Sequence, residues 1–383
     1  MKTNKKLIVG SLFFGFMGLG CQGPIPATSD VKVTSVEHTP VKQQSIGNCW
    51  LYAHATWMES KLKHTTGETY DVSETYWTYW DFYHKLLNNE EELEELGTGG
   101  TWNLSTAIIK KYGWVEEKDF IVEEGGVIFS KAQQCAEKYI NEALTVGGSL
   151  YDPASRTEEN LRAELDQAFS CDGTYSFDMD LAYENRRLAE ETILHDAKTN
   201  TEKPLMAWLD EWTQVGNRAH TSWNYYEGKK LPTENAMDYY KQLEQRVKRA
   251  LNDRQPVVLS FYVTFNAPNA QGLFNLNTLS SRGDIGEGGG HMVVLHDYTV
   301  NNVPGIGRLD EGDMSAEMKE AALQGDLDYL VAKNSWGANR QDRPWLRNGY
   351  SRFSWDYLTK SYYVEDDDIF RPFMQSLIFP PGY

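Results

Sequence analysis

Cys49 stands in the run Gln43-Gln44-Ser45-Ile46-Gly47-Asn48-Cys49-Trp50-Leu51-Tyr52-Ala53, at the point where good helix formers begin. A cysteine that opens a helix has its sulfur at the positive end of the macrodipole, which favours thiolate over thiol and makes a nucleophile near neutral pH. Gln43, six residues earlier, offers an amide donor to a developing oxyanion. Alone, the run fits a buried core cysteine beside a tryptophan better than a nucleophile. A thiol nucleophile needs a base, and the base needs a partner that fixes its tautomer and orientation. His291 directly follows Gly288-Gly289-Gly290 and opens a strand-like run, so its imidazole stands beside unobstructed backbone. Asn334 follows another strand-like run, in Lys333-Asn334-Ser335-Trp336-Gly337, where its amide oxygen can accept from the imidazole and Trp336 can shield that bond from water. His296 is the competing base, but it lies inside the strand-like run without the glycine approach, so His291 is preferred.

The elements that must position these groups can be read in chain order. From Cys49 to about His64 the sequence favours helix, and Thr65-Thr66-Gly67 stops it. Ser73 caps a second helix containing Tyr76, Trp77, Tyr79, Trp80, Phe82 and Tyr83, whose aromatic density implies packing on more than one side. Glu90 to Glu95 is an acidic run, a solvated turn or helix end. In Gly97-Thr98-Gly99-Gly100-Thr101-Trp102, the pair Gly99 and Gly100 admits close approach by another backbone, so the loop can bind an extended peptide; a plain turn before a helix over 103–112 also fits. Residues 125–252 read as charged, amphipathic helices over Lys131–Leu144, Glu158–Phe169, Leu181–Ala197 and Thr233–Leu251, with loops at Asn200–Pro204 and Trp223–Pro232. His195 and His220 within it read as solvent-facing or structural. The pattern then changes to strands at Pro256–Val263, Met292–Leu295 and Tyr329–Ala332, with two more at Tyr350–Phe353 and Ser361–Val364. A helical half followed by an antiparallel sheet or open barrel makes the class α+β.

The 383 residues suffice for one large or two modest cores, and aromatics at 13% suit a well-packed chain with a substantial cleft. Residues 1–20 combine the basic Lys2, Lys5 and Lys6 with an apolar run from Leu7 to Leu19, which predicts a signal peptide. The ending Gly18-Leu19-Gly20-Cys21 resembles a bacterial lipoprotein cleavage site, at which Cys21 is lipidated and anchors the chain to a membrane. An ordinary secretory signal, giving a periplasmic or secreted protein, and an uncleaved anchor are the alternatives. Loss of those three lysines takes the formal charge from -18 to -21, which argues against binding a phosphate backbone. Residues 22–40 hold Pro24, Pro26 and Pro40 without helical period and read as a tether. The remaining cysteines, Cys135 and Cys171, form either a disulfide in an oxidising compartment or two separate thiols. No spacing of Cys or His suits zinc, so no metal or cofactor is expected.

Taken together, Gln43 to Ala53, Gly290-His291 and Asn334-Ser335-Trp336-Gly337, with Asn348-Gly349-Tyr350 behind them, resemble the papain-like cysteine peptidases in order and local context. The resemblance implies a two-lobed fold with a large helical insertion and no cofactor, acting on peptide or protein substrates. Carried over by position, it implies Cys49 as nucleophile, His291 as general base and acid, and Asn334 as the orienting amide. Gln43 with the Cys49 backbone N–H would form the oxyanion hole, and Gly99, Gly100 and Trp336 would meet the substrate. No cysteine precedes Cys49 within the motif to form the neighbouring disulfide of secreted papains. His291 follows Cys49 by 242 residues, against about 130 to 150 in the papain group, so the helical region 125–252 reads as inserted and Val303 to Asp328 as a second insertion. The bleomycin hydrolase branch looks closer, through Cys49-Trp50-Leu51, the segment Asp71 to Tyr76, Gly99-Gly100-Thr101-Trp102, Lys111-Tyr112-Gly113 and Gln255-Pro256-Val257. The expected organisation is a signal peptide over 1–21, a tether over 22–40, a helical lobe over 41–124, the insertion over 125–252 and a sheet-rich lobe over 253–383. A catalytically silent peptide-binding protein on this fold and an acyl transferase with the same nucleophile are the other readings.

Overall fold

In the computed structural model Cys49 is the first residue of helix α1 (Cys49–Thr66), which Gly67 ends in the left-handed conformation at φ 78°. Residues 36–88, 93–215, 234–312, 314–338, 340–346, 348–364 and 369–383 are described. The signal peptide, Cys21, most of the tether, Glu90 to Glu92, His220 and the Trp223–Pro232 loop lie outside the described residues. Among the described residues no helix is long and apolar enough to cross a membrane.

By their contacts the described residues form a helical unit, 37–212 with 334–337, and a sheet unit, Val36 with 213–333 and 338–383. In the helical unit, Ser73 caps α2 (Glu74–Leu87) by accepting from the Tyr76 N–H at 2.9 Å. Tyr76, Trp77, Tyr79 and Phe82 have no exposed surface, so the aromatic helix is core on several sides. Helix α3 (Trp102–Tyr112) stops at Gly113, whose φ of 65° only glycine adopts readily. Helices α4 (Lys131–Ala143) and α5 (Glu158–Phe169) follow, the latter burying Leu161, Leu165 and Phe169 at helical spacing. Cys135 and Cys171 are joined in a disulfide with Cα atoms 5.3 Å apart, which decides between the two open alternatives. Glu37–Pro40, the end of the stretch read as a tether, is tied to α1: Thr39 Oγ1 donates to Glu59 Oε2 at 2.5 Å and Lys63 Nζ to the His38 carbonyl at 2.8 Å.

The helix expected over Leu181–Ala197 is a correction. Only α6 (Met179–Glu184) is helical there, and Ile193–Asp196 (β1) pairs antiparallel with Thr201–Pro204 (β2), the latter expected as loop. The cause is turn chemistry: Asp196 Oδ1 accepts from the Lys198 and Thr199 N–H groups at 3.0 and 3.3 Å, and Asn200 takes φ 54°, closing a hairpin. Helix α7 (Leu205–Asp210) completes this unit.

The sheet unit begins with β3 (Thr213–Val215) and helix α8 (Glu234–Asn252), whose Leu243, Val247, Ala250 and Leu251 are buried. Strand β4 (Val257–Thr264) is buried along most of its length, and its neighbour β6 (Gly288–Val303) has 16 residues, four times the expected Met292–Leu295. With β5 (Leu273–Phe274), β7 (Gly307–Leu309), β8 (Asp326–Lys333), β9 (Tyr350–Ser354) and β12 (Met374–Phe379) they form one sheet of order β3-β12-β4-β6-β8-β9-β5, β7 pairing with β6, while β10 (Ser361–Val364) and β11 (Ile369–Pro372) form a separate antiparallel pair. All pairings are antiparallel except β5 with β9. The C-terminal β12 was not expected as a strand, yet it lies between β3 and β4. Its Leu377, Ile378 and Phe379 are fully buried, and Tyr383 then donates its hydroxyl to Asp253 at 2.6 Å. The class is therefore α+β.

Candidate active site

Cys49 is 9% exposed, and no acidic residue stands in the first turn of α1 to offset the positive end of its dipole. Asn48, at the N-cap, makes no cap bond; its Nδ2 instead donates to Thr78 Oγ1 and Gln133 Oε1, both at 2.9 Å. Gln133 on α4 also donates to Thr75 Oγ1 at 3.0 Å, so α2 and α4 together hold the residue preceding Cys49. On the other side of Cys49, the Trp50 indole N–H donates to the Thr98 carbonyl at 3.0 Å, and the Gly47 N–H to Thr98 Oγ1 at 3.1 Å. Lys85, paired with Asp81 at 2.6 Å, donates to the Gly97 and Gly99 carbonyls at 2.7 and 2.9 Å. The loop that holds Gly99 and Gly100 is thus fastened to the Cys49 segment through Gly47 and Trp50 and to α2 through Lys85.

Gln43 lies in an extended strap between two other segments. Its N–H donates to the Ile128 carbonyl at 2.5 Å, and it bridges Phe129 on one side and Trp336 on the other. The Gln44 N–H donates to the Ser335 carbonyl at 2.8 Å, and the Gly337 N–H to the Lys42 carbonyl at 3.1 Å. The side chains of the two glutamines differ. Gln44 is engaged at both ends of its amide, accepting from Ser335 Oγ at 2.6 Å and donating to the Ile46 carbonyl at 2.8 Å. Gln43 Oε1 would stand 2.5 Å from a Cβ placed on Gly337, whose φ of 81° also favours glycine. Asn334, 2% exposed, comes directly after β8, and Trp336 is 6% exposed beside the strap.

His291 was expected to open its strand and is instead the fourth residue of β6, because the preceding glycines themselves pair with β4 as far as Gly288. It is paired with Phe261, whose ring meets the imidazole edge-on at 5.8 Å. His296 has no exposed surface and sits where the register of β6 against β8 breaks, between Leu295 and Asp297. Gln43, Cys49, Gly99, Gly100, Asn334 and Trp336 belong to the helical unit, and His291 to the sheet unit.

Lys42, next to Gln43, carries a role that motif reading missed; its only signal is a lysine directly before the motif. Its Nζ lies 2.9 Å from Glu59, 2.8 Å from Asp71 and 3.1 Å from Glu74. Burial pulls this ammonium down, but Glu59, Glu74 and Asp71 together outweigh it and hold it well above the usual lysine range. Burial pushes the Glu74 carboxyl up to about 8 against the pull of Lys42, and it raises Glu117 nearby as well.

No protein-family model matches the sequence, and no curated protein matches it as a relative. Among solved structures, the chain is similar to PepW from Lactobacillus rhamnosis at 14% identity and a TM-score of 0.43, covering 92% of this chain and 82% of that one. It is similar to xylellain, a cysteine protease from Xylella fastidiosa, at 14% identity and a TM-score of 0.41, covering 100% of this chain and 99% of that one. The bromelain protease from Ananas comosus gives 14% identity and a TM-score of 0.30, covering 90% and 94%.

Proposed function

We propose that the chain is an exported, papain-like cysteine peptidase that hydrolyses peptide bonds through Cys49, His291 and Asn334. The observation that carries this reading is the placement of Cys49 as first residue of an 18-residue helix, with Gln43 and the Asn334–Gly337 turn hydrogen-bonded through one strap in the same unit. In this reading His291 takes the thiol proton and the Cys49 sulfur attacks the scissile carbonyl carbon. The resulting oxyanion is held by the Gln43 amide and the Cys49 backbone N–H, donors whose hydrogen bonds strengthen as charge develops. Collapse breaks the C–N bond, the amine leaves with the proton from His291, and a thioester remains. Water, deprotonated by His291, then attacks the thioester and releases the acid and the free thiol. Asn334 accepts from the imidazole and keeps its ring oriented. Gly99 and Gly100 pair with the backbone of the peptide substrate.

Export rests on the signal-like residues 1–20 and the Cys21 lipidation sequence, and a disulfide between Cys135 and Cys171 suits an oxidising compartment. A Cys21→Ala variant that stays in the membrane fraction would refute lipid anchoring. The activity test is purified protein incubated with peptide libraries and a thiol-directed electrophile. Labelling at Cys49 and peptide cleavage, both lost in Cys49→Ala, are expected; equal cleavage by Cys49→Ala would sink the assignment, and labelling without cleavage would favour a silent binding protein. Product analysis with added amines separates hydrolysis from acyl transfer.

A further inference from the structure

Lys42 does more than fill space. Besides its three ion pairs, its ammonium donates to the Val72 carbonyl at 2.8 Å and lies 3.1 Å from both oxygens of Glu74. Glu59 sits on α1, the helix that Cys49 opens, and Glu74 is the first residue of α2. One cation therefore ties the strap to the nucleophile's helix and to its neighbour. The carboxylates are fixed in turn, Glu59 accepting from the Val72 N–H at 3.0 Å and from Thr39 Oγ1 at 2.5 Å. The cavity beside the cluster is about 10 Å³, room for one water at most, so this is no ligand pocket.

Successive side chains of an extended segment face opposite ways, so a Lys42 drawn in among carboxylates turns Gln43 to the other side. The strap's own hydrogen bonds, to Ile128, Ser335 and Gly337, hold its backbone, and the ion pairs of Lys42 are the side-chain anchor next to Gln43. We propose that Lys42 is a positioning residue for the oxyanion donor, its ion-paired side chain setting where the Gln43 amide stands. This rests on Gln43 acting as that donor.

The test compares Lys42→Met, Gln43→Ala and the double variant by peptide turnover and by alkylation of Cys49 with iodoacetamide. Alkylation displaces iodide at a saturated carbon and creates no oxyanion, so a misplaced Gln43 leaves it untouched. Lys42→Met should lower kcat about 10- to 100-fold with KM and the alkylation rate unchanged, and should add nothing further in the Gln43→Ala background. Equal slowing of alkylation and turnover, full additivity with Gln43→Ala, or wild-type turnover in Lys42→Met would each overturn the proposal. If Lys42→Met does not fold, Lys42→Met with Glu74→Gln, which replaces both partners of one contact, carries the same comparison. Wild-type turnover by Gln43→Ala would overturn the oxyanion reading itself, whereas a slow Gln43→Ala beside a fast Lys42→Met would overturn only the role of Lys42.

Discussion

The indole of Trp50 occupies the space that a side chain on Gly100 would need: a Cβ there would lie 2.2 Å from Trp50 Cε2. Around Gly99 a Cβ would meet nothing within 4 Å. Gly100→Ala should therefore cost about 1–3 kcal/mol through overpacking, read as a lower denaturation midpoint. Gly99→Ala should leave the midpoint unchanged and raise KM several-fold if a peptide backbone lies along this loop. Unchanged stability in Gly100→Ala would contradict the packing described.

Gln43 and Gln44 are adjacent and chemically identical, but only Gln44 has both ends of its amide engaged, by Ser335 and Ile46. Gln43→Ala should lower kcat about 10²- to 10³-fold with little change in stability, as for loss of one oxyanion donor. Gln44→Ala should act chiefly on stability, by about 1 kcal/mol per hydrogen bond lost. Steady-state kinetics with chemical denaturation of both variants checks the contrast; the reverse pattern would reassign the donor.

Glu74 sets a pH dependence of stability. Its folded-state pKa is about 8, above the unfolded value of 4.5, so the folded chain keeps a proton that the unfolded chain releases. The contribution is fully present below about pH 4.5 and fades as pH rises toward 8. Wild type should lose thermal stability relative to Glu74→Gln across that window, because glutamine cannot ionise. Melting curves from pH 4 to 9 that stay parallel would refute it.

The Cys135–Cys171 disulfide spans 36 residues and joins α4 to the turn after α5. Its removal in Cys135→Ser with Cys171→Ser should cost about 2–4 kcal/mol. Peptide mapping under non-reducing conditions tests the link directly, and two free thiols there would remove the prediction.

Residues 49–66, 74–87 and 102–112 were legible as helices because each carries its own punctuation: Gly67, Ser73 and Gly113 act on their immediate neighbours. The hairpin at Ile193–Pro204 was not, since Asp196 closes its turn with a side-chain bond that a helical reading of apolar spacing overlooks. Strand β12 escaped because its partners, β3 and β4, lie more than a hundred residues away in the chain.

The amino-acid sequence by itself determined the candidates: a cysteine opening a helix, a histidine after three glycines, and an asparagine before a tryptophan. These are local properties of residue type and order. Tertiary structure alone decided that Trp50 makes Gly100 necessary, that the Gln44 amide oxygen is spent on Ser335, and that Lys42 sits among three carboxylates. Side chains distant in sequence make those contacts, and burial sets their strength; neither is a property of any short stretch of chain.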